Sequence, residues 1–281
     1  MCRLMAFSSR QETSLPAFMG GSFQQFVELS NIHHDSWGLA LVEAGEAKVS
    51  KKAETAARSS EFLTTIETST SSGGLLHFRW ASPGLPVTEN NAHPFVFEDI
   101  SFIHNGALSP YDAVASLVDP KFASLRSGDT DSEQFFLYIL TQIDKYGFVE
   151  GVKKAITTIK SDFKYSSINS MIMNSDYLIV TSEHDPENKP SWAEPEYYEL
   201  RYRLDADGIA VASSGWDHAR GDARHSAAQG QAASAGRARP GRRAERLPSQ
   251  ESSVLRNRRS RPGARRTCLP RRPGKRPRPR R

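Results

Sequence analysis

Cys2-Arg3-Leu4-Met5-Ala6-Phe7 opens the chain with an apolar run that reads as a strand starting at the very terminus. Chain ends fray unless a sheet or helix holds them, so this run predicts a terminus pinned inside the fold. Beyond a Ser/Gln/Glu-rich turn at 8–14, Phe18, Phe23, Phe26, Val27 and Ile32 recur at roughly helical spacing. Residues 37–42 then read as a buried strand turning at 43–46 into a short partner at 47–49, and 53–65 as a helix. Residues 73–80 form a strand entered through glycines and broken by Pro83, Gly84 and Pro86. A hairpin over 94–97 and 100–104 follows, with Asn105-Gly106 directly behind it. Helices are expected at 111–118, at 131–145 behind the N-cap signature Asp129-Thr130-Asp131-Ser132-Glu133, and at 152–160. Short strands at 168–173, 177–182, 197–203 and 208–213 close the folded part. Two clusters of strands with helices beside them predict an α+β fold, and two sheets face to face with helices outside is one architecture that fits.

Composition divides the chain. Residues 219–281 contain no Phe, Tyr, Trp, Ile or Met, so packing is expected to end near residue 218. Charge divides at the same place: 1–218 carry 17 Lys+Arg against 29 Asp+Glu, a net of −12, and 219–281 carry 20 against 3, a net of +17. An acidic body gives no reason to expect nucleic acid as its partner. The two cysteines, Cys2 and Cys268, lie at opposite ends and suggest no disulfide framework. With no signal-like h-region and no apolar run of about 18 residues, the expectation is a cytoplasmic protein with no membrane contact.

Cys2 becomes chemically interesting if Met1 is removed, because a free α-amine and a thiol titrate within about one pH unit of each other in model peptides. A thiol beside its own amine is a minimal nucleophile and base. Taken alone, a cysteine here is as well explained as a small apolar strand residue. Arg79 alone could be a structural ion-pair partner, Asp131 a carboxylate at a helix N-terminus, and Asn105-Gly106 an ordinary turn dipeptide. Adjacent His33 and His34 point different ways and no ligand spacing completes a site, so no metal is expected, nor any other cofactor.

The Met-Cys-Arg-Leu start, His77-Phe78-Arg79-Trp80-Ala81-Ser82, Asn90-Asn91-Ala92-His93-Pro94-Phe95, His104-Asn105-Gly106 and Gly128-Asp129-Thr130-Asp131-Ser132-Glu133 together resemble the class II glutamine amidotransferases, of a short stand-alone type. The blocks occur in the family's order. The resemblance implies a four-layer αββα sandwich of the N-terminal-nucleophile hydrolase kind over 1–218, followed by a disordered tail over 219–281. It further implies that Cys2, freed of Met1, attacks a side-chain amide to give a γ-glutamyl thioester. Arg79 would clamp the substrate α-carboxylate, Asp131 its α-ammonium, and Asn105 with Gly106 would form the oxyanion hole. Trp80 and Ser82 would line the pocket, with His77 and His93 as supports.

Glutamine or a γ-glutamyl small molecule is the implied substrate, with a partner protein that accepts ammonia as a further expectation, since no second catalytic domain is legible behind residue 218. Two other readings stay open. One is an amidohydrolase of γ-glutamyl peptides, similar to relatives in ergothioneine synthesis and glutathione breakdown; the other is a catalytically silent glutamine-binding module. The tail, with 19 Arg and one Lys, reads either as a basic arm or as the product of a shifted reading frame.

Overall fold

A computed structural model describes residues 2–21, 23–204 and 206–214, and the backbone of Arg224–Ser226 and Ser253–Arg256. The terminal run is held as expected. Strand β1 (Arg3–Thr13) lies inside a seven-stranded sheet, and its alternating side chains are buried on both faces. Met5 and Phe7 enter one apolar cluster, Leu4 and Ala6 another, which is why the run is continuously apolar.

Helices α1 (Leu15–Met19) and α2 (Phe23–Glu28) follow, ending in a 3-10 turn at Leu29–Asn31. Strands β2 (Ser36–Glu43) and β3 (Glu46–Lys52) form a hairpin. The helix expected at 53–65 is displaced: a 3-10 turn occupies Ala56–Arg58, and α3 (Ser60–Thr68) starts only where the Ser59 hydroxyl accepts the Phe62 N–H at 3.1 Å. Strand β4 (Ser71–Arg79) then pairs with β1 and β2. The hairpin of β5 (Phe95–Phe97) and β6 (Ile100–Ser109) turns where expected, but β6 runs straight through Asn105-Gly106, which is strand and not turn.

The helix expected at 111–118 is not formed. Only a 3-10 turn at Ala115–Leu117 appears, because Pro110 and the Asp119-Pro120 pair bracket a segment too short to bury an apolar stripe; Val114 is buried while Tyr111 and Leu117 stay exposed. Helices α4 (Pro120–Ala123), α5 (Asp131–Tyr146) and α6 (Phe148–Asp162) precede strands β7 (Lys164–Met173), β8 (Tyr177–Thr181), β9 (Leu200–Leu204) and β10 (Gly208–Ser213). The strand expected from 197 begins at Leu200, which leaves Tyr197 and Tyr198 in the preceding loop. Arg224–Ser226 (β11) and Ser253–Arg256 (β12) add edge strands against β9 and β8. The rest of 219–281, including Cys268 and most of the expected tail, lies outside the described residues, as does the expected boundary at 218.

The sheets run β11-β9-β10-β1-β4-β2-β3 and β12-β8-β7-β6-β5. Helices α1–α3 cover the outer face of the first through Phe7, Phe26, Phe62 and Phe78, and α5 and α6 cover the second through Phe102, Phe135, Phe136 and Ile172. Between the sheets, Leu4, Ala6 and Leu75 meet Ile103, Met171 and Val180. Burying each such large apolar side chain contributes about 1.5–3 kcal/mol. Four layers, αββα, are thus present, as the motifs implied.

Candidate active site

Side-chain alternation assembles the candidate groups at one end of the space between the sheets. Directly before β1, Cys2 shares the parity of Leu4 and Ala6; on β4, His77 and Arg79 share that of Leu75; on β6, Asn105 shares that of Ile103. Each therefore faces inward. The register sets Arg3 opposite Phe78 and Leu4 opposite His77, bringing the start of β1 beside the end of β4. Leu4 N–H donates to Ser213 Oγ at 2.9 Å, tying the same point to β10.

Cys2 and Asn105 are joined directly: the Cys2 N–H donates to Asn105 Oδ1 at 3.0 Å. A backbone N–H only donates, so the oxygen end of the Asn105 amide must face Cys2, and its NH2 end is turned away and free to donate elsewhere. Asn105 is itself 1% exposed. Gly106 follows where the pairing of β6 with β7 slips; a Cβ on it would fall 1.7 Å from Ser167 O, so no larger residue fits without moving backbone.

Arg79 is almost fully buried, and its Nη1 donates to Pro86 O at 3.0 Å while Nη2 has no partner among the described residues. Burial lowers the guanidinium pKa, with the Cys2 thiol and the Asp35 carboxylate pulling it back up. A buried cation with one unused donor beside a thiol suits a carboxylate ligand.

Asp131 begins α5, where Thr130 Oγ1 accepts the Glu133 N–H at 3.1 Å. Its Oδ2 accepts from Leu108 N at 2.8 Å and its Oδ1 from Ser132 N at 2.8 Å, so the carboxylate is fixed just past the slipped register of β6. Glu133 closes the preceding turn by accepting from Ser127 N and Gly128 N, each at 2.8 Å.

His77 and His93 stack with ring centroids 4.1 Å apart beneath the site. His77 Nε2 donates to His104 O at 3.3 Å, and His104 Nε2 to Ser167 O at 3.2 Å, which leaves His104 Nδ1 to accept from Ser132 Oγ at 2.9 Å. His77 and His93 thus pack behind Asn105, His77 through its bond to the backbone of His104, the residue before it. Burial pushes His77 and His93 well below the ordinary imidazole pKa, the neighbouring cations and imidazoles adding to the effect on His93. Above pH about 6.5 both are neutral folded or unfolded; below it only the unfolded chain takes up the protons. Stability should therefore fall as pH drops below about 6.5, by about 1.4 kcal/mol per pH unit for each of the two histidines, in denaturant titrations between pH 7.5 and 5.

Trp80 is 38% exposed and packs against His33 and Trp192. Ser82 sits in an exposed turn closed by Leu85 N–H to Ser82 O at 3.1 Å. Several residues with no role assigned from the sequence hold the site. Asn91 donates to Pro86 O at 3.1 Å, the carbonyl that also holds Arg79, and accepts from Asp129 N at 2.7 Å. It thereby joins the loop after β4 to the turn before Asp131, and its place in the Asn90-Asn91-Ala92-His93 block was a usable signal. Asp35 accepts from Ala81 N at 2.7 Å, and Asn169, paired with Asn105 across the sheet, bridges Tyr198 O and Glu183 N. Neither had a sequence signal. No cluster of three or more potential metal ligands occurs among the described residues, and no described helix is long and apolar enough to cross a membrane.

The four-layer αββα sandwich is the fold of the N-terminal-nucleophile hydrolases, and it brings a cysteine at the start of β1, an amide and glycine of β6, and oppositely charged groups of β4 and α5 to one end of its two sheets. The family model of class II glutamine amidotransferases matches residues 1–185. The chain belongs to that family, whose members transfer or hydrolyse the amide of glutamine. Among curated relatives, the probable glutamine amidotransferase DUG3 of Saccharomyces cerevisiae is 28% identical over 171 residues, covering 53% of this chain and 47% of the relative. The glutamine--fructose-6-phosphate aminotransferase of Aquifex aeolicus is 27% identical over 172 residues, covering 60% and 27%. The chain thus spans about half the length of the first and about a quarter of the second. A solved glutamine aminotransferase class-II domain protein from Silicibacter pomeroyi shares the fold, with a TM-score of 0.56 at 19% identity over 80% of this chain and 99% of that one.

Proposed function

We propose that the chain, once freed of Met1, hydrolyses the γ-amide of glutamine or of a γ-glutamyl compound through a thioester on Cys2. The observation that carries this reading is the 3.0 Å hydrogen bond from Cys2 N to Asn105 Oδ1, which sets the thiol-bearing residue beside an amide whose NH2 end is free. The Cys2 amine takes the thiol proton, directly or through a water, and the thiolate attacks the carbonyl carbon of the γ-amide. Asn105 Nδ2 and the Gly106 N–H stabilise the oxygen that becomes negative. As the carbon–nitrogen bond breaks, ammonia or an amine leaves with the proton from the Cys2 ammonium. Water then cleaves the thioester, releasing glutamate and restoring the thiol. Arg79 Nη2 and Asp131 supply the cation and anion that a free amino acid requires.

Ammonia release from glutamine, with mass spectrometry for Met1 loss and for the γ-glutamyl thioester on Cys2, tests the reading. Met1 removed and no thioester with glutamine or γ-glutamyl amides would overturn it in favour of a silent binding module. Arg79→Lys should raise KM for glutamine about 10- to 100-fold with a smaller change in kcat, because a point charge replaces the planar fork; steady-state kinetics checks it.

A further inference from the structure

The groups assigned so far hold the amino-acid end of the substrate and the reacting carbonyl. They leave the other side of the scissile bond unread. Next to them lies a line of aromatic side chains that the proposed chemistry does not use. It starts at Arg3, the neighbour of Cys2, whose guanidinium stacks 4.2 Å over the Tyr197 ring and donates to Tyr197 O at 3.1 Å. Tyr197 meets Trp192 edge-on with ring centroids 5.3 Å apart, and Trp192 lies 5.4 Å from Trp80. Trp80 directly follows Arg79 in the chain. The line therefore touches the start of β1 beside Cys2 and the end of β4 beside Arg79, at the same end of the sheets as the candidate site, where the Cys2 thiol adds to burial in raising the Tyr197 pKa.

Burial along the line is graded. Tyr197 is 7% exposed and its hydroxyl has no partner among the described residues, whereas Trp80 and Trp192 are 38% and 49% exposed. Two half-exposed indoles in contact are a costly use of surface for a glutamine hydrolase alone, since ammonia is too small to reach them. They suit a planar or apolar group, which would bury their open faces and stack on them. The unpartnered Tyr197 hydroxyl adds a polar anchor at the inner end of the line. The loop that carries Trp192 and Tyr197, between β8 and β9, is attached to the site independently: Asn169, paired with Asn105, holds Tyr198 O at 2.6 Å.

We infer that Trp80 and Trp192 form a leaving-group subsite, and that the chain prefers γ-glutamyl amides whose amine carries an aromatic ring. The inference rests on the hydrolase reading above and names its substrate class. The Cys2 sulfur–carbon bond forms, the carbon–nitrogen bond breaks, and the arylalkylamine departs with the proton from the Cys2 ammonium.

γ-Glutamyl phenethylamide and γ-glutamyl ethylamide serve as probes, because both release a primary alkylamine and differ chiefly in the ring. The Met1-processed chain should cleave the phenethylamide with kcat/KM at least fivefold above the ethylamide, about 1 kcal/mol. Trp192→Ala should reduce that ratio to within twofold, and Trp192→Phe, which keeps a ring, should retain most of it. Thermal melts of both variants should match the parent, since Trp192 is half exposed. Equal turnover of the two amides, or a ratio untouched by Trp192→Ala, overturns the inference and leaves the hydrolase reading standing. Binding to the Cys2→Ala variant, read by calorimetry, decides the case separately from turnover. If no substrate is cleaved, the hydrolase reading fails, while at least fivefold tighter binding of the phenethylamide still supports the subsite and equal binding removes it.

Discussion

Cys2→Ala should abolish ammonia release from glutamine, lowering turnover on the order of 10^5-fold or more, the scale seen when the nucleophile of a covalent hydrolase is deleted. The fold should survive the change. Cys2 is partly exposed, and its contact with Asn105 uses the backbone nitrogen, which alanine keeps. Unfolding midpoints of parent and variant should agree within about 2 °C for a change of this kind at a partly exposed site. The variant should also still bind glutamine, because Arg79 and Asp131 are untouched. Calorimetric binding without turnover would assign Cys2 to chemistry alone, whereas residual turnover near the parent rate would remove it as the nucleophile.

Asn105→Ala should lower kcat about 100- to 1000-fold with little change in KM, since the lost donor acts on charge that exists only in the transition state. It also strips Cys2 N of its acceptor, so a second substitution separates the two jobs. Asn105→Asp keeps an oxygen for Cys2 N but removes the NH2 and sets a negative charge against the developing oxyanion. Its rate should fall at least as far as that of the alanine variant. An aspartate that works nearly as well as the native residue would mean that positioning Cys2, and not donating to the oxyanion, is what Asn105 contributes.

Why some of this was legible beforehand follows from where each signal lives. Strands β1, β2 and β4 are buried on both faces, so their runs Leu4-Met5-Ala6-Phe7, Leu39-Ala40-Leu41-Val42 and Leu75-Leu76 are apolar without interruption. Helix α5 announced its start through Thr130, whose hydroxyl caps Glu133. The segment 111–118 misled because Tyr111, Val114, Leu117 and Val118 mimic helical spacing, while the prolines on either side leave too few residues for a stable helix. Asn105-Gly106 looked like a turn and is strand; the strong turn preference of the dipeptide yields to pairing with Asn169 and Ile168 across β7.

Site residues divide in the same way. Cys2, Arg79, Asn105, Gly106 and Asp131 stood in recognisable blocks, and the register brings the first three onto facing surfaces between the sheets. Asp35, Asn169, Ser213 and Tyr197 had no local signature, because each reaches the site through contacts with residues 29 to 209 positions away in the chain. Such contacts are set by strand order, which no single stretch encodes.

The hydrogen bond between Cys2 N and Asn105 has a final consequence on the proposed chemistry. The nitrogen already occupies its working position while it is still an amide, so maturation requires no folding step. Loss of one methionine would convert a non-basic nitrogen into a base in place, making the unprocessed chain a zymogen with a finished scaffold. A preparation with incomplete aminopeptidase trimming would then melt as one species yet titrate with an active-site thiol label as two, and its specific activity would report the host's trimming efficiency instead of the quality of the fold.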